Sequence, residues 1–387
     1  MDEKITVAVL FGGPSTEHEV SLVSAAGVLD NIDRTRYHVL EVGVARDGAW
    51  FCGDGTREMM KSRGERSIPG VRRCSLPPDP SVGGLLIENT GGAVERLPLD
   101  FVLPMIHGSP GEDGMLQGLL EMAGIPYAGP PADASALCFD KERTKVACAA
   151  RGIPVAAWRT VDEYRRPGPE ELQRLVDRSV GCPCFVKPAR CGSSVGISRV
   201  ADPGGLGPAL DEAFRFDHKA LIEEAVSGRE IECAVLGNHE PRTAPPGEVI
   251  TAGGFYDYKA KYLDTSARTV VPADLPSTVA ADVCRLAGEA WGALGLQGMA
   301  RIDFFYVEAS GAIMLNEVNT IPGFTPISMY PQMWASAGLD FRGLIDELIR
   351  LGFERHRRTA EKERSLGLDR HQAGMVGQGG AAGDDGH

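Results

Sequence analysis

The sequence predicts an α/β protein: a parallel-sheet domain at the N-terminus, followed by α+β segments. Three stretches carry that expectation. Residues 6–11 (TVAVLF) form a continuous apolar run, a glycine-rich turn and an apolar-periodic stretch from near Glu17 to about Ile32 follow, and residues 37–44 form a second apolar run. A strand, a helix and a strand in that order make a β-α-β unit, which sets a parallel sheet with a right-handed crossover. Residues 184–200 (CFVKPARCGSSVGISRV) read as a strand, a small-residue loop and a returning strand. Residues 300–331 (ARIDFFYVEASGAIMLNEVNTIPGFTPISMYP) read as a hairpin turning at Ala309, Ser310 and Gly311, with the glycine at the left-handed position.

The hairpin organises the rest. With its turn centred on Ser310, Asp303 falls opposite Glu317, and because side chains alternate faces, Arg301, Asp303, Glu317 and Asn319 share one surface. Two carboxylates ~4 Å apart repel by about 4 kcal/mol at an effective dielectric of ~20, so something must neutralise them. A hard divalent cation such as Mg²⁺ accepts Asp, Glu and Asn oxygens and takes its other ligands from water and substrate phosphates. The alternative is a salt-bridged or solvated hairpin. Beyond Asn319, residues 320–325 (TIPGFT) form a Pro-Gly turn whose backbone N–H groups can face a developing oxyanion.

Composition narrows the classes. At 387 residues the chain has room for two or three domains, and 43% hydrophobic with 24% charged residues is ordinary for a globular protein. A net charge of -13 argues against nucleic acid or an anionic membrane as the main partner, since phosphate backbones need clustered cations. No stretch reaches the ~18 uncharged apolar residues of a membrane span, and the N-terminal MDEK lacks the shape of a secretory signal, so a cytoplasmic location is expected. The nine cysteines have neither zinc nor thioredoxin spacing and read as reduced, mostly buried thiols.

In chain order, the turn GGPSTE lacks both the glycine spacing of a dinucleotide fingerprint and the lysine of a P-loop. Residues 53–98, rich in Gly, Pro, Arg and Ser, read as a surface insertion of extra strands and loops. A strand at 101–108 ends on His107, where open α/β sheets place ligands, and a helix at 115–122 follows. Residues 132–151 read as one helix carrying Lys141 and Lys145, followed by a strand at 155–161 and a helix at 169–179. In the loop Gly192, Ser193, Ser194, Val195, Gly196, small residues permit close approach to a polyphosphate, with the ammonium of Lys187 nearby; a plain flexible hairpin is the alternative.

A helix near 205–214 precedes strands at 220–226 and 230–236, where Glu223, Glu224 and Glu230 either bond a nucleoside or face solvent. Residues 256–264 (YDYKAKYLD) suit a lid over a site, or a solvated loop. Helices are expected at 276–294 and 340–356, and from Leu366 onward glycines and charges predict a disordered tail.

Assembled in order, FGGPSTEHEVS, HGSPGEDG, DKERTK, VKPARCGSSVG, YDYKAKYL, ARID and NEVNTIPGFTPISMYP resemble the D-alanine:D-alanine ligase family of the ATP-grasp superfamily over residues 4 to about 357. The resemblance implies an ATP-grasp fold in which two α+β domains grip ATP beside the N-terminal α/β domain. Its bounds would be 1–128 for the substrate-binding domain, with 53–98 variable, 129–222 for the central domain, 223–365 for the catalytic domain and 366–387 for the tail. It implies ATP-phosphate contacts from Lys141, Lys187 and Ser194, adenine contacts from Glu223, Glu224 and Val226, and a ribose contact from Glu230. Asp303, Glu317 and Asn319 match ligands of two Mg²⁺ (or Mn²⁺) ions, and Arg301 with the backbone of Gly323 matches the groups that stabilise a tetrahedral intermediate. Glu17, Ser193 and Tyr262 match a hydrogen-bonded triad; Val20, His107, Lys261 and Ser328 match positions around two alanine sites. Cys191 stands where relatives often carry a polar side chain, and Met329 replaces a leucine of some relatives.

The reaction so implied is ATP-dependent joining of two D-alanines through a D-alanyl phosphate, for peptidoglycan precursor synthesis, by a homodimer. Two alternatives stand beside it: a D-alanine:D-lactate ligase, against which Tyr262 argues, and a catalytically silent ATP-binding regulator, against which intact Arg301, Asp303, Glu317 and Asn319 argue.

Overall fold

The structure is a computed structural model that describes residues 4–62, 68–89, 91–250 and 268–376. The β-α-β unit forms as expected: β1 (Ile5–Gly12), α1 (His18–Asn31) and β2 (Tyr37–Val44), with β1 paired in parallel to β2 on one side and to β7 (Phe101–Pro104) on the other. Val7, Val9 and Phe11 of β1 pack into one core and Ala8 and Leu10 into another, which is why this strand reads as an unbroken apolar run.

Residues 53–98 supply extra strands, as expected, and these extend the first sheet. β3 (Trp50–Cys52), β4 (Arg72–Ser75), β5 (Gly84–Glu88) and β6 (Val94–Pro98) continue antiparallel from β2, in the order β6-β5-β4-β3-β2-β1-β7. The sheet is therefore mixed, and Leu85 and Ile87 share a buried core with Leu10, Val102 and with Leu116 and Leu120 of α3 (Met115–Met122), while α2 (Thr56–Lys61) adds Met59 and Met60 to the core on the other face.

The second sheet is antiparallel, in the order β10-β9-β11-β8, with β8 Trp158–Asp162, β9 Cys184–Pro188, β10 Ser198–Val200 and β11 Lys219–Glu224. Helices α6 (Pro169–Asp177) and α7 (Leu206–Ala213) bury Leu172, Val176, Leu206 and Leu210 against it. The third sheet runs β15-β14-β12-β16-β17, from β12 (Arg229–Gly237), β14 (Gly247–Ile250), β15 (Arg268–Val270), β16 (Gly298–Val307) and β17 (Ala312–Asn319), with β13 (Arg242–Thr243) also paired to β12, and is covered on one face by α8 (Ser277–Ala293).

Two elements differ from the sequence reading in ways that shape the site. The single helix expected at 132–151 is two, α4 (Ala132–Phe139) and α5 (Lys141–Ala150), broken at Asp140, whose backbone is extended at φ -90 and ψ 102. The Asp140 carboxylate caps α5 by accepting from the N–H of Arg143 at 3.2 Å, and apolar periodicity continuing on both sides hides the break. Lys141 thereby becomes the first residue of a helix, and its N–H donates to the Ala189 carbonyl at 3.0 Å.

The hairpin pairs Asp303 with Glu317 as expected, for a different reason. Val307 pairs with Ala312 and Phe304 with Leu315, so the turn is centred between Ala309 and Ser310; Asn316 is then an extra residue, and the register shifts before Asp303 meets Glu317. This bulge lets Leu315 and Val318 both bury with Ile302 and Phe304, while Glu317 and Asn319 turn to the opposite face. Gly311 adopts φ 72, the left-handed turn geometry expected of it.

The closing helix, expected at 340–356, runs from Phe341 to Val376, into the segment expected to be a disordered tail; residues 377–387 lie outside the described ones. The extra length, residues 357–376, carries four arginines together with Glu, Leu and Ala and contains no proline. Among the described residues, no helix is long and apolar enough to cross a membrane, and the nine cysteines are free thiols, most of them buried.

Candidate active site

A cavity of about 750 Å³ opens where the N-terminal sheet, the small-residue loop and the bulged hairpin meet. Glu17, Val20, His107, Lys141, Ser193, Arg301, Glu317, Asn319, Gly323 and Ser328 all line it, although they come from every part of the chain.

On the hairpin face, Arg301 donates from Nε to Asp303 Oδ1 and from Nη2 to Asp303 Oδ2, each at 2.8 Å, and its Nε lies 3.1 Å from Glu232 Oε2. Burial works against the charge on Arg301, but Asp303 and Glu232 outweigh it and hold the guanidinium well above its ordinary pKa. Asn319 Nδ2 donates to Asp303 Oδ2 at 2.9 Å. Glu232, which the sequence reading passed over, sits opposite Asp303 on β12. Its signal was there in EIECAVL: acidic residues on alternate positions of an otherwise apolar strand occupy one face.

The donor chemistry of this face fits magnesium. Two carboxylates and a carboxamide are few, hard oxygen ligands, which leaves positions for water and phosphate oxygens. Among the described residues no cluster of three His, Cys, Asp or Glu side chains forms a metal cage, so a cation here would draw further ligands from its substrate.

A cationic group lies beside it. Lys141 Nζ donates to the Cys191 backbone carbonyl at 2.5 Å. Lys187 Nζ lies 2.5 Å from Glu223 Oε1, and Lys145 Nζ, wholly buried, lies 2.7 Å from Glu223 Oε2. Burial raises the proton affinity of Glu223, but the two lysines outweigh it and hold its pKa below the ordinary value. The sequence marks Lys145 only as a helical residue, although its spacing of four from Lys141 puts both on one helix face. Burial lowers the pKa of Lys141, which feels Glu317 on one side and Lys187 and Glu223 on the other.

Glu223 and Glu224 end β11 with Val226 just beyond it, and Glu230 lies on β12 between Val249 and Phe305. These four, with Lys187, Ser194 and Asp303, are not among the residues lining the main cavity, so the ligand groups expected from sequence fall into a cavity set and a neighbouring set joined through Lys141 and the hairpin face.

The small-residue loop closes toward the N-terminal domain. Ser193 Oγ donates to the Glu17 carboxylate, and Ser193 and Ser194 hold φ of 52 and 56, left-handed geometry that non-glycine residues seldom adopt. At Gly192 a Cβ would come within 2.8 Å of Glu17 Oε2, so a larger residue would push the Glu17 carboxylate aside. Two members of the expected triad thus touch; Tyr262 and Lys261 lie outside the described residues.

On the cavity's other wall His107 is buried between Ser24 Oγ at 2.8 Å and the Ile321 carbonyl at 2.9 Å. Glu112, unremarked in the sequence, accepts from the N–H of Gly108 at 2.8 Å and of Ile321 at 3.1 Å; burial and the nearby Glu17 push its pKa up to about 8. Ser328 Oγ accepts from the N–H of Thr325 at 3.1 Å and bounds the cavity beside Gly323.

Comparison with known proteins gives the family. Residues 6–130 match the family described as D-ala D-ala ligase N-terminus, and residues 148–350 the one described as D-ala D-ala ligase C-terminus. The chain belongs to the D-alanine–D-alanine ligase family. It is 45% identical over 365 residues to the D-alanine--D-alanine ligase of Chlorobium limicola, covering 91% of this chain and 98% of that one. Among solved structures, the ligase is similar to the D-alanine-D-alanine ligase from Coxiella burnetii, with TM-score 0.82 at 35% identity over 95% of this chain and 99% of that one. It is equally similar to the VanG D-Ala:D-Ser ligase from Enterococcus faecalis, with TM-score 0.82 at 36% identity over 90% of this chain and 100% of that one. The three-sheet architecture is accordingly the ATP-grasp fold.

Proposed function

We propose that this ligase joins two D-alanines into D-alanyl-D-alanine, with ATP converted to ADP and phosphate, as a step in peptidoglycan precursor synthesis. The observation that carries the reading is the shared surface of Arg301, Asp303, Glu317 and Asn319, set by one bulge, at a cavity that Glu17, His107 and the Gly323 turn also bound.

A carboxylate is a poor electrophile, so it must be activated before an amine can displace oxygen from it. One carboxylate oxygen of the first D-alanine attacks the γ-phosphorus of ATP, and ADP leaves. Lys141 and Lys187 offset the phosphate charge, with Lys187 transferring from Glu223 to the nucleotide while Lys145 keeps the buried carboxylate paired. Two Mg²⁺ (or Mn²⁺) ions, held by Asp303, Glu317 and Asn319, would supply electrostatic stabilisation of the transferring phosphoryl group. The amine of the second D-alanine then adds to the acyl phosphate carbonyl. Arg301 and the N–H of Gly323 hold the resulting oxyanion, each such donor worth about 3 kcal/mol, and its collapse expels phosphate. Acyl phosphates hydrolyse, so the Glu17–Ser193 contact serves to close the loop over the site and exclude water.

Glu223, Glu224, Val226 and Glu230 receive the nucleoside in this reading; Val20, His107 and Ser328 bound the alanine sites. The family likeness also supports a homodimer working in the cytoplasm, a state that sedimentation of the purified protein tests.

The deciding measurement is D-alanine-dependent phosphate release with mass identification of the product. The similarity to a D-Ala:D-Ser ligase makes the second substrate the point to challenge, so D-serine and D-lactate belong in the competition. Phosphate release without D-alanine dependence, or a D-alanyl-D-lactate or D-alanyl-D-serine product in preference to the dipeptide, would sink the assignment.

A further inference from the structure

α1 lies directly on the Pro-Gly turn. A Cβ on Gly27 would meet the Phe324 carbonyl at 2.9 Å and Thr325 Cα at 3.2 Å, and one helical turn earlier the buried Ser24 Oγ lies 3.3 Å from the Phe324 nitrogen and 2.8 Å from His107 Nε2. The other ring nitrogen, Nδ1, lies 2.9 Å from the Ile321 carbonyl.

These contacts leave one arrangement of protons for a neutral ring. A carbonyl only accepts, so the hydrogen between His107 and Ile321 sits on Nδ1. Burial pushes the His107 pKa down; Glu17 acts against this and Arg301 with it, so the imidazole is neutral and Nε2 carries a lone pair. Ser24 must then donate its hydroxyl hydrogen to Nε2, which leaves its oxygen to accept the N–H of Phe324. The chain runs from Phe324 N–H through Ser24 and His107 to the carbonyl of Ile321. Glu112 takes the remaining Ile321 N–H.

Both ends of this chain are backbone groups flanking Pro322 and Gly323. We propose that Ser24 is a positioning residue: donating to Nε2 of His107, whose Nδ1–H the Ile321 carbonyl sets, and accepting from the Phe324 N–H, it pins, from the N-terminal domain, the turn that presents the Gly323 N–H. The inference rests on the reading of Gly323 as an oxyanion donor. Ser24 touches no reacting atom in this scheme; it sets the position of one that does, where an error of about 1 Å costs about 100-fold in rate.

Two measurements on the full chain test it. Long-range ¹H–¹⁵N spectra of ¹⁵N-histidine protein, with His107→Gln to assign the signal, should show His107 protonated at Nδ1 and bare at Nε2 at neutral pH. An Nε2–H tautomer or a charged ring overturns the proposal whether or not the protein is active. In Ser24→Ala the Nδ1–H should remain, held by the Ile321 carbonyl, while the Nε2 resonance moves as it loses its donor, and kcat for dipeptide synthesis should fall about 10- to 100-fold with the KM for ATP within twofold. Unchanged kcat, or a KM for ATP that rises in step with the loss, overturns it. Should the unaltered protein make no dipeptide, the functional reading fails instead, while the tautomer measurement still decides the network.

Discussion

Arg301 and Asp303, two residues apart on one strand, are locked together by a bidentate ion pair with both N–O distances at 2.8 Å, and Glu232 holds the same guanidinium from the neighbouring strand. Arg301→Lys keeps the charge but loses the planar fork. It should lower kcat for dipeptide formation by about 100-fold or more while ATP affinity, read by isothermal titration, changes little. Near-normal turnover would refute the role given to Arg301.

Metal dependence should follow the hairpin face. Chelation by EDTA is expected to abolish phosphate release and added Mg²⁺ to restore it. Asp303→Asn and Glu317→Gln each remove one hard anionic ligand, so the Mg²⁺ concentration for half-maximal rate should rise about tenfold or more. Titrating the metal for each variant checks this, and an unchanged requirement in both would remove these residues from the metal site.

Lys145 is wholly buried against Glu223. Lys145→Met leaves the buried carboxylate with Lys187 as its one ion-pair partner among the described residues, which should cost about 3 kcal/mol in urea unfolding. It should also raise the KM for ATP, because Lys187 can no longer leave Glu223 without stranding a buried charge. A variant as stable as the parent, with unaltered KM, would show that Lys145 only fills space.

The pair of Arg190 and Asp217 gives a pH signature. Burial raises the Asp217 pKa, but the Arg190 guanidinium, 2.7 Å away, and the backbone N–H groups of Arg190 and Lys219 outweigh it, and the carboxyl lies below its ordinary 3.8. A depressed folded value contributes stability that is present above pH 3.8 and is lost as the pH falls through the lower folded value. Arg190→Leu should therefore cost about 1–2 kcal/mol at pH 7, the guanidinium being half exposed, and should lose less further stability on acidification than the parent does. Urea midpoints at pH 7 and pH 3 measure both.

Local pattern alone made much of this molecule legible. The β-α-β unit and the helix at 115–122 follow from short-range periodicity, and the motif order is specific enough to indicate the family; the pairing of Asp303 with Glu317 is expected from a turn centred on Ser310 but is made by the bulge at Asn316. Local pattern failed where a distant partner decides. Nothing near Asn316 signals its bulge, because the extra residue is stabilised by Leu315 and Val318 packing into a core shared with α8. The break at Asp140 is hidden for the same reason: the apolar spacing runs through it, while the Lys219 ammonium that also holds its carboxylate, at 2.6 Å, lies on another strand.

The sequence by itself determined which side chains this protein carries to its chemistry, since acidic, amide, guanidinium and ammonium groups at fixed strand and loop spacings are properties of the chain. Only the tertiary structure decided what those groups face. Ser24 and Phe324, 300 positions apart, Glu112 and Ile321, and Glu232 and Arg301 come together because α1, the loop after β7 and β12 pack around the hairpin. A proton's place on His107, or the charge of a buried Glu223, depends on neighbours within about 3 Å, where electrostatic and hydrogen-bond energies are largest, and sequence distance does not record them.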